Sequence, residues 1–379
     1  MSLHSRIPLS APDLGPAERD LLIETFDAGW VSSVGPVVER FERTFAEAVG
    51  LAHATAVSSG TAALHLALAM LNLKAGDAVI APTLTFIGGI SPIVQTGATP
   101  LFVDVDPVSW NLDPLLLEAA FEAAAQRGLT VQAVVPADLY GQCCDIDAIT
   151  DIAGRHSVPV ILDSAEAVGA IRHGRAAGQG AMAAAYSFNG NKIVTTGGGG
   201  MLASDDGDLI ARARYLGTAA RLPAVHYEHA EVGFNYRLGS LAAAVGLAQM
   251  GSLAARVERR RAIFQRYVDR LGALPGLSFA PEAPGCRHTR WLSVILLDPL
   301  IVACSPEALR QSLEAANIES RPTWKPMHLQ PAFAGATIVG GAVAEALFDT
   351  GLCLPSGSAL TDDDIDRVCD VIVNRLNQP

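Results

Sequence analysis

The sequence predicts an α/β fold built on a mostly parallel central sheet, and three observations carry that reading. Short β-rich apolar runs alternate with longer helical patterns across the middle of the chain. These runs are continuously apolar, as in strands covered on both faces. Half of the 379 residues are hydrophobic and only 17% are charged, which is ample material for a large core and a second, smaller domain.

Taken in order, Ala54 to Val57 reads as a strand, and Ser59-Gly60-Thr61 opens a helix that continues to about Leu71. Further strands are expected at Asp77 to Ala81, Pro100 to Val103, Val131 to Pro136 and Val158 to Leu162. Helices are expected between them at about Phe86–Thr96, Asp113–Arg127 and Asp145–His156. From Ser187 to Ser204 two short antiparallel strands flank the run Gly197-Gly198-Gly199-Gly200. One long helix, rich in arginine after Arg256, is expected from Ser240 through Tyr267. Beyond it lie a strand at Trp291 to Leu297, a helix at Pro306 to Ala316, a strand at Gly351 to Leu354 and a last helix from Thr361 to Leu376. Three aspartates directly after Thr361 favour a helix start, since acidic groups suit the positive end of the dipole. The expected organisation is a large domain over residues 31–247, a smaller C-terminal α/β domain over 248–379, and an N-terminal segment, 1–30, packed on the smaller one.

The formal net charge is −12, with no block of five like charges, and this excludes a nucleic-acid binder, which needs a basic face. A small anionic ligand in a locally basic pocket stays compatible. No 18-residue apolar run occurs, and Met1 to Pro12 lacks a charged-then-apolar signal pattern, so a soluble cytoplasmic protein without membrane contact is expected. Cys143, Cys144, Cys286, Cys304, Cys353 and Cys369 are scattered with no CxxC pair. They are expected as small buried hydrophobes, with neither a metal site nor a disulfide framework.

Four features follow four separate strands. Ser59-Gly60-Thr61 stands at a strand-to-helix junction, where free N–H groups and the helix dipole suit a phosphate, although the same tripeptide is also a common cap. Phe86 follows the next strand, as a ring to lie on a flat ligand or as a core phenylalanine. Asp163 ends the apolar run Val158-Pro159-Val160-Ile161-Leu162, and a buried carboxylate there calls for a cationic partner. Lys192 sits in Ser187-Phe188-Asn189-Gly190-Asn191-Lys192; alone it reads equally as a solvated surface lysine. Ligands of open α/β sheets bind beyond the carboxyl ends of the strands, where these four features converge. A lysine amine for a Schiff base and an aspartate for a pyridine nitrogen are the two groups that hold and drive pyridoxal phosphate.

The phrases VSSGTAALHLAL, TFIGGISPI, LYGQ, LDSAEAVGA, SFNGNKIVTTGGGGML, HYEHAEVGFNYRLGSLAAAVGLAQ and ESRPTWKPMHLQPAF resemble the DegT/DnrJ/EryC1/StrS sugar aminotransferases over nearly the whole chain. Within that family SFNGNK, WNLDP, HYEH and SRPTWKPMH are most similar to transaminases that make UDP-4-amino-4,6-dideoxy-N-acetylglucosamine. The resemblance implies the fold type I pyridoxal-phosphate architecture. It implies that Lys192 carries the cofactor and shuttles the proton, that Asp163 pairs with the pyridinium nitrogen, and that Phe86 stacks on the ring. Gly60, Thr61 and Ser187 would hold the phosphate, with Asn235 contributed by the second subunit of a homodimer whose active site is shared. Glu166 would lie near the ring oxygen. Arg237, Trp324, Lys325 and His328 would face the nucleotide-sugar, with His328 able to relay protons.

Two departures from the family pattern, Ser164 for alanine and Gly88-Gly89 for an Ala-Ser pair, are expected to reshape the sugar pocket and leave the cofactor groups intact. The implied reaction moves an amino group from L-glutamate to the C4 ketone of a UDP-4-keto-6-deoxy-N-acetylhexosamine. Alternatives are a 3-keto sugar or a GDP- or dTDP-linked keto sugar on the same scaffold, or a non-catalytic sugar-nucleotide-binding or regulatory protein. A dehydratase of this family would carry histidine in place of Lys192.

Overall fold

A computed structural model describes residues 5–377. Two four-stranded sheets meet edge to edge through the parallel bridges Val134–Val160 and Ala137–Asp163, giving one central layer. Its first half runs His53–Val57, Gly200–Ser204, Ala183–Ser187, Ile161–Asp163; its second half runs Thr130–Val134, Asp77–Pro82, Thr99–Val103, Ile338–Val339. Pairing is parallel throughout the second half and between Ile161–Asp163 and Ala183–Ser187. Gly200–Ser204 is antiparallel to both its neighbours, as the hairpin-like reading of the glycine run anticipates, but the preceding strand is Ala183–Ser187 and ends at the residue where the sequence reading begins it.

The apolar runs are continuous because both faces are covered. On one face Ile80, Leu101, Val134, Leu162, Ala184 and Met201 meet the helices Pro36–Val49, Leu117–Gln126 and Ile146–Arg155. On the other, Val79, Phe102, Ala133, Ile161, Ala183 and Leu202 meet the helices Gly60–Ala69 and Gly207–Gly217. Side-chain direction alternates along each strand, so both alternating sets must be apolar.

The C-terminal part is a separate antiparallel sheet, ordered Leu277–Phe279, Ser293–Leu297, Gly351–Leu354, Arg321–Pro322. Helices Leu253–Leu271, Pro306–Ala315 and Asp362–Leu376 supply its core through Ile263, Tyr267, Leu309, Leu313, Ile365 and Ile372. Thr361 caps the last helix reciprocally with Asp364.

Three expectations change. The helix expected from Ser240 through Tyr267 is two helices, Ser240–Met250 and Leu253–Leu271, bent by 66°. Gly251 and Ser252 are poor helix formers, and the bend folds around buried Glu18, whose Oε1 accepts from Gln249 Nε2 at 2.9 Å and Arg256 Nη2 at 3.2 Å. The helix expected at Phe86–Thr96 is a 3₁₀ turn, Ile87–Gly89, then a short helix, Ser91–Gln95. The N-terminal segment divides its contacts: Ile7 joins the C-terminal core, whereas helix Pro16–Asp27 packs on helix Ser240–Met250. Among the described residues no single helix is long and apolar enough to cross a membrane.

Phe188 anchors the loop that carries Lys192. Its ring is fully buried, 5.1 Å from that of Phe41 and 5.2 Å from that of Phe45. Phe188→Ala is expected to cost about 3–5 kcal/mol in urea unfolding; a loss below 1 kcal/mol, on the order of a surface substitution, would deny that anchoring role.

Candidate active site

One cavity of about 440 Å³ lies beyond the carboxyl ends of the central strands, bounded on its far side by Trp291, Glu319, Arg321 and Trp324 from the C-terminal part. Each expected cofactor group except Asn235 lines it: Gly60, Thr61, Phe86, Asp163, Glu166, Ser187 and Lys192.

The phosphate end is shaped by glycines. Strand His53–Val57 turns into helix Gly60–Ala69, where the Ser59 hydroxyl accepts from the Ala62 N–H at 3.0 Å. The N–H groups of Gly60 and Thr61, two residues that line the cavity, are the first-turn donors suited to an anion. A methyl group on Gly60 would stand 3.0 Å from Ser187 Cβ, and one on Gly200 would stand 2.4 Å from the Ser59 carbonyl carbon. Glycine at both positions lets the helix terminus approach the lysine strand.

Asp163 leaves its strand at the sheet edge, buried to 8% exposure, with Oδ1 accepting from the Ala165 N–H at 3.1 Å. Oδ2 accepts no hydrogen bond from any described residue, and a methyl on Gly89 would lie 2.6 Å from it. Burial pushes the carboxyl up to about 6, against the Ala165 hydrogen bond and the charge of Lys192. An unpartnered carboxylate oxygen kept open by a glycine fits the N–H of a pyridinium ring.

The ammonium of Lys192 donates to Glu166 Oε1 at 3.0 Å and lies 3.7 Å over the ring centre of Trp291. Glu166 Oε2 accepts from the Tyr140 N–H at 2.8 Å. Burial pushes Glu166 up to about 7, opposed chiefly by Lys192. Tyr140 adopts a left-handed conformation, φ 53°, held by this bond and by its hydroxyl, which accepts from the Trp324 N–H at 3.1 Å. Phe86 is no core phenylalanine: it stands 58% exposed on the rim, 5.6 Å from the ring of Trp324.

The substrate group is only partly assembled. Trp324 lines the cavity, but Arg237, Lys325 and His328 do not. Arg237 donates to the Thr55 hydroxyl and pairs with Glu42 at 3.0 Å, because that buried carboxylate needs a cation under the first strand. His328, expected at the sugar, has both ring nitrogens occupied: Nδ1 meets the Thr83 hydroxyl at 2.6 Å and Nε2 meets Glu345 at 3.0 Å. Lys325 is exposed outside the cavity, as is Asn235 within this single chain.

Of the two departures, the Ser164 hydroxyl is fully buried and donates to Asp138 at 2.7 Å, whereas Gly88 and Gly89 line the cavity and clear space beside Thr61 and Asp163. Asp138, Tyr140, Trp291 and Arg321 escaped the sequence reading. Asp138 carried the signal that revealed Asp163, a carboxylate just past a strand; burial raises it to about 6. Among the described residues Arg321 is the one lining cation besides Lys192, and it is paired with Glu319, also on the lining, at 3.0 Å.

The DegT/DnrJ/EryC1/StrS aminotransferase family profile matches residues 12–373. The chain is 44% identical over 376 residues to EpsN of Bacillus subtilis, whose name places it among pyridoxal phosphate-dependent aminotransferases, covering 98% of this chain and 96% of that protein. It is 40% identical over 369 residues to the GDP-perosamine synthase of Caulobacter vibrioides, covering 97% and 98%. The crystal structure of the aminotransferase TlmJ from Streptoalloteichus hindustanus superposes with a TM-score of 0.89 at 30% identity, over 98% of this chain and all of that one. The architecture is accordingly the fold type I arrangement, and pyridoxal phosphate is the cofactor whose groups the cavity fits.

An acid whose folded value is raised holds its proton more tightly when folded, so its contribution to stability falls as pH climbs from about 4 through about 6. In cofactor-free protein, Asp163→Asn is therefore expected to exceed the parent in stability at pH 8 by on the order of 2–3 kcal/mol. The gap should close towards pH 4, and affinity for the cofactor should fall. Urea unfolding across pH checks the first point and cofactor titration the second; a parent as stable as the variant at pH 8 would contradict it.

Proposed function

The chain belongs to the DegT/DnrJ/EryC1/StrS aminotransferase family and is a pyridoxal phosphate-dependent sugar aminotransferase; from that premise we propose that it aminates the C4 ketone of a UDP-4-keto-6-deoxy-N-acetylhexosamine with nitrogen from L-glutamate. The observation that carries the transamination chemistry is the convergence of Lys192, Glu166 and the open oxygen of Asp163 in one glycine-lined cavity. The UDP-linked N-acetyl sugar is supported by the phrases SFNGNK, WNLDP, HYEH and SRPTWKPMH.

Bound in this cavity, pyridoxal phosphate supplies an aldehyde that exchanges amino groups and a ring that spreads negative charge. The helix terminus at Gly60-Thr61 and the Ser187 hydroxyl would hold its phosphate. Asp163 Oδ2 would accept from the ring nitrogen and keep it protonated. Phe86 would meet the ring from the rim. Lys192 Nζ takes the α-proton of the amino donor and delivers a proton to C4 of the sugar in the second half of the cycle. It must be neutral to take that proton, and Glu166, 3.0 Å away, balances its charge whenever it is not. Arg321 and Trp324 offer a cation and an aromatic face to an anionic sugar nucleotide.

A second reading has a specific observation behind it. Three relatives at 34–40% identity bear the name GDP-perosamine synthase, which favours a sugar carried on GDP. Glutamate-dependent amination of UDP-, GDP- and dTDP-linked keto sugars separates the two. Turnover confined to UDP-linked N-acetyl sugars is expected; turnover confined to GDP-sugars would replace the nucleotide and leave the cofactor chemistry standing.

The proposed enzyme is a homodimer whose partner supplies Asn235 to the phosphate. Asn235 lies exposed next to Tyr236, whose carbonyl accepts from the Ser58 N–H at 2.7 Å at the edge of the phosphate loop. Lys192→Ala is expected to lower kcat by at least about 10³-fold, as loss of a positioned base does, and Asn235→Ala to weaken cofactor binding. Co-refolding the two variants should restore about a quarter of the parent activity, because half of the dimers are mixed and each mixed dimer holds one complete site. No recovery in verified mixed dimers would rule out a shared site.

A further inference from the structure

We propose that Trp291 is the seat of the free Lys192 ammonium, a positioning residue that holds the amine over its ring whenever the lysine is not joined to the cofactor. The proposal rests on the transamination reading, which requires that lysine to be released and recaptured in every cycle.

The amine has two partners at the cavity wall. Lys192 Nζ lies 3.7 Å over the ring centre of Trp291, with Glu166 Oε1 at 3.0 Å. Trp291 is 3% exposed, so water does not compete for the ring face, and cation–ring attraction is strongest where the cation is desolvated and the ring is an indole. The indole is fixed to the lysine's own backbone: its Nε1–H donates at 2.8 Å to the carbonyl of Asn191, the residue immediately before Lys192. The same carbonyl accepts from the Ser10 hydroxyl at 2.7 Å. Behind both stands Arg260, 1% exposed, which donates to the Trp291 carbonyl at 2.7 Å and to Ser10 Oγ at 3.1 Å. Arg260, Trp291, Asn191 and Ser10 thus form a ring of hydrogen bonds around the base of the lysine side chain.

The chemistry of the two neighbours differs usefully. Indole attracts the positive charge but has no site to take a proton, whereas Glu166 can take one. An ammonium is therefore held, and an amine that has given up its proton loses that attraction and is free to leave the ring for the rest of the cavity. A flexible four-carbon chain would otherwise sample many rotamers before meeting its target.

Cofactor-free protein tests this without any turnover. The chain has three lysines, Lys74, Lys192 and Lys325, and the first and last are exposed. Brief treatment with acetic anhydride at constant pH, read by peptide mass spectrometry, gives the Lys192 to Lys74 labelling ratio. Trp291→Leu is expected to raise that ratio roughly 3- to 30-fold, the span of cation–ring attraction from exposed to buried sites, and Trp291→Phe to raise it less. Uniform replacement of tryptophan by 5-fluorotryptophan keeps the shape and weakens the ring's negative face. It should raise the ratio in the parent and leave it unchanged in the Trp291→Phe background, even if Trp291→Leu fails to fold. An unchanged ratio in the fluorinated parent would overturn the proposal. Because the measurement needs neither sugar nor glutamate, its failure leaves the transaminase reading intact, and failure of the sugar panel leaves this result standing.

Discussion

Three carboxylates, Asp138, Asp163 and Glu166, lie buried at the edge of the central sheet, and the structure around them is organised by the cost of keeping them there. Asp138 is supplied by the Ser164 hydroxyl and the Cys144 N–H, and Glu166 by Lys192 and the Tyr140 N–H. Asp163 alone is left with one donor and an open oxygen. The incomplete member of the set keeps one oxygen open towards the cavity, which is what the proposed pairing with the cofactor's ring nitrogen requires. Binding and folding are thereby linked, since a ligand that satisfies a native-state group stabilises the native state.

Close approach of backbone to backbone is the second constraint. Gly60, Gly89 and Gly200 stand where a methyl group would meet Ser187, Asp163 or Ser59 at 3.0 Å or less. These contacts bring the phosphate loop, the aspartate strand and the glycine run into one wall. The opposite wall comes from beyond residue 290, and Arg260 joins the two. As a buried cation without a carboxylate bonded to it, it spends its donors on the Trp291 and Ser356 carbonyls and on Ser10, and burial lowers it to about 9. Its bonds tie three remote stretches of chain to the peptide preceding Lys192.

Much of this was legible in one dimension. Strand positions, the helix opened by Ser59, the hairpin around the glycine run and the strand at Gly351–Leu354 all follow from apolar periodicity and turn chemistry. Lys192 and Asp163 were legible because Asp163 ends its strand and Lys192 lies in the loop that follows the neighbouring one, and in such folds these positions share one edge. Asp138 obeys the same rule and was missed because no single cation in the sequence marks it. The bend at Gly251 was hidden because Glu18, around which the helix pair folds, lies more than 230 residues away.

The substrate side was the least legible, and Arg237 and His328 show why. An arginine in the irregular stretch before a helix and a histidine in a proline-bracketed loop have the right chemistry for a sugar nucleotide, but their partners decide where they point. Glu42, 195 residues from Arg237, and Glu345 with Thr83 around His328 claim these groups within the chain. Trp291 makes the converse case, brought to the cavity by its bond to the Asn191 carbonyl, 100 residues away. The sequence by itself determined most strands of the sheet, the covering helices after Ser59, Asp113 and Asp145, and Lys192 and Asp163 as candidates, because periodicity and position relative to a strand are local properties. Only the tertiary structure decided which cations and rings face the cavity, because a loop side chain takes its direction from long-range partners rather than from any repeat in the chain.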